Sequence, residues 1–173
     1  MLHRYPKPRT PLVIYDNDSS GECRAVREAC TALDLIVEYR PCPGNIKGFS
    51  DTLAQSTVGK RTLPYMIDSN GMYRFSGAGA PSIIDHLFDA YYSGKDCKER
   101  AKFKGSGAGG GSLKANARID NIKMKPITLY GWEGASYVKP VRAALNSLAL
   151  AHIFVNCASG SGMYTGSLCY FYC

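Results

Sequence analysis

The chain has 173 residues, 45% of them apolar and 20% charged, and carries a formal net charge of +7. That size suits one ordinary domain or two small ones of a soluble globular protein, and no apolar run approaches the roughly 18 residues of a membrane span. The start MLHRYPKPRTP is basic but has no apolar core, so it is not a secretory signal, and the seven irregularly spaced cysteines read as reduced intracellular thiols.

Where the charge sits decides what it means. Residues 1–93 hold ten Lys/Arg and ten Asp/Glu, residues 94–125 hold nine against three, and residues 126–173 hold two against one. The excess therefore lies in a segment that also contains Gly105-Ser106-Gly107-Ala108-Gly109-Gly110-Gly111-Ser112. This is the composition of a flexible tether without aromatic stacking residues, so no specific nucleic-acid binding is expected.

Leu12-Val13-Ile14-Tyr15 predicts a short buried strand. After a polar loop, Val26, Ala29, Cys30 and Leu33 recur at helical spacing. Strand, loop and helix meet at Ser20-Gly21-Glu22-Cys23. A thiol in the first turn of a helix feels the positive end of the helix dipole, which favours thiolate, and Arg24 and Arg27 add to that field. Ile36 to Arg40 predicts a second strand that ends at Pro41, in a right-handed parallel βαβ unit. Residues 47–57 are weakly helical. Two strand-like runs flank Asn70-Gly71, the signature of a two-residue hairpin. Ile83, Ile84, Leu87, Phe88 and Tyr91 mark one face of a closing helix. The order β-α-β-α-β-β-α is the thioredoxin-like arrangement, an α/β fold.

The opening pattern then recurs. At a constant offset of 115, Pro11, Tyr15, Val26, Arg27, Ala29, Leu33, Leu35 and Cys42 fall on Pro126, Tyr130, Val141, Arg142, Ala144, Leu148, Leu150 and Cys157. Eight identities in 32 positions, against about two by chance, point to a tandem repeat. The expected domains are an N-terminal extension (1–10), a complete domain (11–93), a basic linker (94–125), a partial βαβ repeat of the same fold (126–160) and an irregular tail (161–173). So small a βαβ fragment is expected to be loose, or to lean on the first domain or on another chain, the last of which would make a homo-oligomer.

Tyr15 to Glu28, Leu63-Pro64-Tyr65, and Tyr130 to Leu145 resemble the N-terminal thioredoxin-fold domain of glutathione transferases and the related glutaredoxins, above all tandem-domain members of plants and algae. Leu63-Pro64 looks like the family's Val-Pro turn, in which the proline is cis. The resemblance implies glutathione as substrate or ligand, no metal, and a cytoplasmic or plastid location. Ser20 stands where the Cys-x-x-Cys motif has its first, nucleophilic cysteine, and Cys23 stands at the second. Gly79-Ala80-Pro81-Ser82 keeps the serine of the acidic-Ser pair that receives the γ-glutamyl end, and lacks the carboxylate. The helical domain that forms the electrophile pocket has no counterpart. The second copy has Ala135 and Val138 at the two motif positions.

The implied catalytic residues are Cys23, in exchange with glutathione mixed disulfides, and Ser20, as hydrogen-bond donor to a glutathione thiolate. The implied glutathione-binding residues are Arg24, the backbone of Leu63 and Pro64, and Ser82. The residues themselves also admit plainer roles. Cys23 precedes Val26 by three positions and so shares its buried face, where cysteine acts as a small hydrophobe. Ser20 suits a helix N-cap, and Arg24 a solvated helix surface. Cys30 lies on the core stripe, Cys42 and Cys157 fall at equivalent strand ends, and the three histidines show no ligand spacing. Two functions follow as expectations. One is thiol-disulfide exchange or weak glutathione conjugation at Ser20 to Cys23. The other is a non-catalytic glutathione- or protein-binding module, or an incomplete family member.

Overall fold

The computed structural model describes residues 7–44, 48–57, 62–70, 75–92 and 123–157. Strand β1 (Leu12–Asp16) is buried at four of its five positions, which explains its unbroken apolar run. Helix α1 (Gly21–Ala32) starts where the Ser20 hydroxyl accepts the Cys23 backbone N–H at 3.3 Å, as an N-cap should. It ends where Asp34 turns left-handed (φ 54°) and the Leu35 N–H returns to the Cys30 carbonyl at 3.0 Å. Strand β2 (Val37–Pro41) runs parallel to β1, with Leu12 opposite Val37 and Asp16 opposite Pro41. The strand therefore extends one residue further than expected, through the proline itself. This is tolerated because the pairing on the other edge of β2 stops at Tyr39, leaving no donor required at Pro41.

Helix α2 (Phe49–Ser56) lies on the opposite face of the sheet, where Phe49 and Leu53 pack with Tyr15, Cys42 and Tyr65. Strands β3 (Tyr65–Asp68) and β4 (Phe75–Ala78) add antiparallel to the free edge of β1. Helix α3 (Ala80–Tyr91) buries Ile83, Ile84, Leu87, Phe88 and Tyr91 against the face that also carries α1. Residues 12–91 thus form the thioredoxin-like β-α-β-α-β-β-α fold.

The expected two-residue hairpin at Asn70-Gly71 falls partly outside the described residues, which end at Asn70 and resume at Phe75. The described pairing of β3 with β4 runs from Tyr65 opposite Ala78 to Asp68 opposite Phe75. Asn70 ties β3 to the N-terminal segment. Its side chain donates to the Thr10 carbonyl at 3.0 Å and accepts the Thr10 N–H at 2.7 Å, and its backbone N–H donates to Asp68 at 2.9 Å.

The buried Asp68 carboxylate also meets His86 Nε2 at 2.9 Å and accepts the Tyr91 hydroxyl at 2.7 Å, tying β3 to α3. Burial pushes its pKa up, but the hydrogen bonds from His86, Tyr91 and Asn70 outweigh that and leave it below the ordinary value. A lowered folded-state carboxyl stabilises the fold above its unfolded pKa, and that contribution is lost as pH falls through the folded value. Thermal stability should therefore drop below about pH 4, and Asp68→Asn should flatten this part of the profile. An unchanged acid limb in that variant would assign the loss to other carboxylates.

A second unit extends the sheet. Strand β5 (Ile127–Gly131), helix α4 (Val138–Ser147) and strand β6 (His152–Asn156) make a parallel βαβ, and β6 pairs antiparallel with β2. The six strands run β4-β3-β1-β2-β6-β5. Both strands of this unit begin and end 115 positions after β1 and β2. Ala149, 115 positions after Asp34, has the same left-handed φ of 54°. The strand-end bonds also match, Cys42 N–H to Asp16 O at 2.7 Å and Cys157 N–H to Gly131 O at 2.8 Å. One difference has a local cause: Ala135 has no side-chain acceptor to replace Ser20, and α4 starts two positions late relative to α1. Pro140 falls in its first turn, where no intrahelical donor is missed.

The N-terminal residues 1–6, most of the basic linker and the tail from 158 lie outside the described residues. Among the described residues no helix is long and apolar enough to cross a membrane.

Candidate functional site at one end of the sheet

The strand register gathers most of the candidate residues at one end of the first unit. Tyr15, near the end of β1, pairs with Tyr65, the first residue of β3, and Tyr65 pairs with Ala78, the last of β4. The loop into α1, the turn into β3 and the turn into α3 therefore share that end. The Leu63-Pro64 bond is cis, and the Pro64 carbonyl accepts the Gly79 N–H at 2.9 Å, joining two of these turns. Gly79 has φ +85°, a left-handed conformation that a side chain would strain, and it starts α3 without a side-chain cap. Ser82 is exposed in the first turn of α3, and its hydroxyl donates to the Ala78 carbonyl at 2.9 Å and the Gly79 carbonyl at 3.1 Å.

Cys23 is 1% exposed. Its Sγ accepts the Asn17 backbone N–H at 3.4 Å, and Asn17 in turn holds Ser19 through its side chain. Burial, with the Asp16 carboxylate adding to it, pushes the Cys23 thiol up to about 12, against the opposing hydrogen bonds from Asn17 and Ser20. A helix N-terminus contributes about 0.3–1 kcal/mol, less than one pKa unit, whereas full desolvation moves a group by several units. Burial wins. Cys30, also expected to be inert, is buried and pushed up to about 12 by the same cause.

Ser20 acts as the N-cap of α1. Arg24 is 61% exposed at its side chain and bonds Glu28 one turn on, at 2.8 Å. The Arg27 charge lowers the Cys23 pKa, but less than burial raises it, and the guanidinium itself is bound elsewhere. It is 2% exposed and forks onto Asp16 at 2.7 and 2.9 Å, while its Nε donates to Glu133 at 3.2 Å. Burial lowers the pKa of Arg27, but the carboxylates of Asp16 and Glu133 outweigh that and raise it. Arg142 completes the cluster by donating to Asp18 at 2.6 Å and to Glu133. Asp16, Asp18 and Glu133 were not singled out from the sequence. The available signal was the repeated Val-Arg pair, with an acidic residue nine positions before each arginine.

Among the described residues no group of three or more His, Cys, Asp or Glu side chains could hold a metal ion. His152 is 1% exposed with its Nε2 lacking a hydrogen-bond partner, and burial lowers its pKa.

Residues 14–95 match the family described as glutathione S-transferase, N-terminal domain, a stretch that runs from β1 past α3 and ends before β5. Among solved structures the chain is similar to glutathione transferase BmGSTD1 of Bombyx mori, with 22% identity, a TM-score of 0.40 and coverage of 56% of this chain. The overlap spans 45% of that protein, less than half its length. No curated protein matches the chain.

Proposed function

We propose that the chain is a glutathione-binding protein of thioredoxin-like fold whose Cys23 thiol is held masked and protonated at rest. What carries this reading is the contrast at one end of the sheet. Pro81 and Ser82 are exposed and Leu63 and Gly79 are half-buried, while the thiol at the same end of the sheet is buried and lifted to about 12. The match of residues 14–95 to a glutathione transferase N-terminal domain supports glutathione as that ligand. In this reading the backbone beside Pro64 pairs with the cysteinyl part of the tripeptide. Ser82, and the unpaired N–H groups of the first turn of α3, receive its γ-glutamyl carboxylate. Arg24 stands on the exposed side of α1, within the same unit, as a contact for the remaining carboxylate.

Calorimetric titration of the full chain with reduced glutathione and with S-methylglutathione tests this. Both should bind with similar affinity, since no protein thiol takes part. Pro64→Gly should weaken binding about tenfold, and Cys23→Ser should leave it nearly unchanged. Absence of heat with either ligand would sink the reading.

A second reading is thiol-disulfide exchange, favoured by the Asn17 N–H aimed at Cys23 Sγ, a donor suited to a thiolate. The Cys23 thiolate would attack the glutathione sulfur of a protein mixed disulfide, forming a Cys23–glutathione disulfide and releasing the protein thiolate. Turnover that survives in Cys23→Ser would exclude it.

A further inference from the structure

The two βαβ units meet by exchanging equivalent contacts. In the β2–β6 pairing Val37 faces Phe154, Glu38 faces Ile153 and Tyr39 faces His152. At the offset of 115, Ile153 is the counterpart of Glu38, His152 of Val37 and Phe154 of Tyr39. Swapping the units therefore maps the pairing onto itself, with a pseudo-two-fold axis through Glu38 and Ile153. The ion pairs obey the same symmetry. Arg27 of the first unit reaches Glu133 at 3.2 Å, and Arg142 of the second reaches Asp18 at 2.6 Å. Arg142 is the counterpart of Arg27, and Glu133 of Asp18. This is the reciprocal pattern of an isologous dimer interface, built inside one chain.

The chemistry is not symmetric. Where the first unit has Asp16, Ser20 and Cys23, the second has Gly131, Ala135 and Val138. A Cβ on Gly131 would lie 2.5 Å from a Val138 methyl, so the second unit has no room for a carboxylate at that position. It carries the residues of the interface and none of the candidate site. The interface also ends on the Cys23 loop. Asp18, held by Arg142, sits in the segment whose Asn17 N–H covers the Cys23 sulfur and whose Asp16 is gripped by Arg27.

We propose that β5–α4–β6 is a non-reacting pseudo-subunit whose Arg142 and Glu133 hold the Asp16–Ser20 loop closed over Cys23, so that the thiol is accessible only when this unit lets go. The inference rests on reading the Cys23 end of the sheet as the site. Arg142 is then a positioning residue that acts through Asp18. Its fork serves Asp18 and Glu133 together, which a lysine ammonium cannot do with the same geometry.

The test is the rate of alkylation of each cysteine in the full chain by iodoacetamide at pH 8, read by peptide mass spectrometry. Arg142→Ala should speed labelling of Cys23 about tenfold or more over Cys30 and Cys42, with Arg142→Lys in between. Asp18→Asn cuts the same link from the other side and should act alike, and it decides the matter if Arg142→Ala does not fold. A rise shared equally by Cys23, Cys30 and Cys42 would mean general loosening and would overturn the lock, as would no rise at all. Glutathione calorimetry on the same samples separates the two proposals. Selective unmasking of Cys23 without glutathione binding would keep the lock and remove the ligand.

Discussion

Arg27→Ala is expected to destabilise the protein by about 3–5 kcal/mol, the cost of removing one partner from a buried ionic cluster. Three carboxylates, Asp16, Asp18 and Glu133, lie within ion-pair distance of this one guanidinium. Without it only Arg142 remains to balance them, and Asp16 loses the fork that holds it. Against a typical domain stability of about 5–15 kcal/mol, such a loss leaves the chain marginal. Urea unfolding would read it directly. Arg24→Ala, one turn earlier on the same helix, should cost less than about 0.5 kcal/mol, because its bond to Glu28 is exposed. Replacing Arg27 and Asp16 together with Met and Leu should cost less than Arg27→Ala alone, since it leaves fewer charges unpaired. Equal losses for Arg24→Ala and Arg27→Ala would show that the cluster does not hold the two units together.

Leu12→Ala should cost about 2–5 kcal/mol, whereas Ile127→Ala, at the counterpart position, should cost less than about 1 kcal/mol. Leu12 is 0% exposed and Ile127 is 43% exposed. Both open a strand of parallel βαβ, and both read as core from their local pattern. Leu12 lies between α1 and α3, in a cluster with Ile14, Val26, Leu33 and Leu87. No described element covers β5 as α3 and β3 cover β1, so truncation at Ile127 leaves little cavity. The same contrast holds for Val26 at 0% and Val141 at 46%. Comparable losses at positions 12 and 127 would mean that the outer face of the second unit is covered in solution.

The legible parts of the sequence were those set by short-range periodicity. The apolar run of β1 and the i, i+3, i+4 stripe of α1 depend on backbone geometry over a few residues, as does the buried face of α3. Ser20 could be read as a cap because its partner is three residues away. The offset of 115 was visible for the same reason, since the matching residues recur at the same local spacings.

The hold of Asn70 on Thr10, 60 positions earlier, was not legible, because it joins segments that no local spacing connects. The sequence left two readings of Cys23 open, because the helix dipole is a local and modest effect, whereas desolvation and the Asp16 carboxylate are imposed by tertiary packing.

The amino-acid sequence by itself determined the elements, their order, and the eight identities at an offset of 115, all consequences of local spacing. Only the tertiary structure decided which unit is sheathed, which arginine meets which carboxylate, and how deeply the Cys23 thiol is buried. Each of those depends on burial between residues up to 124 positions apart in the chain. Solvent exclusion and charge pairing at that range leave no trace in a local pattern.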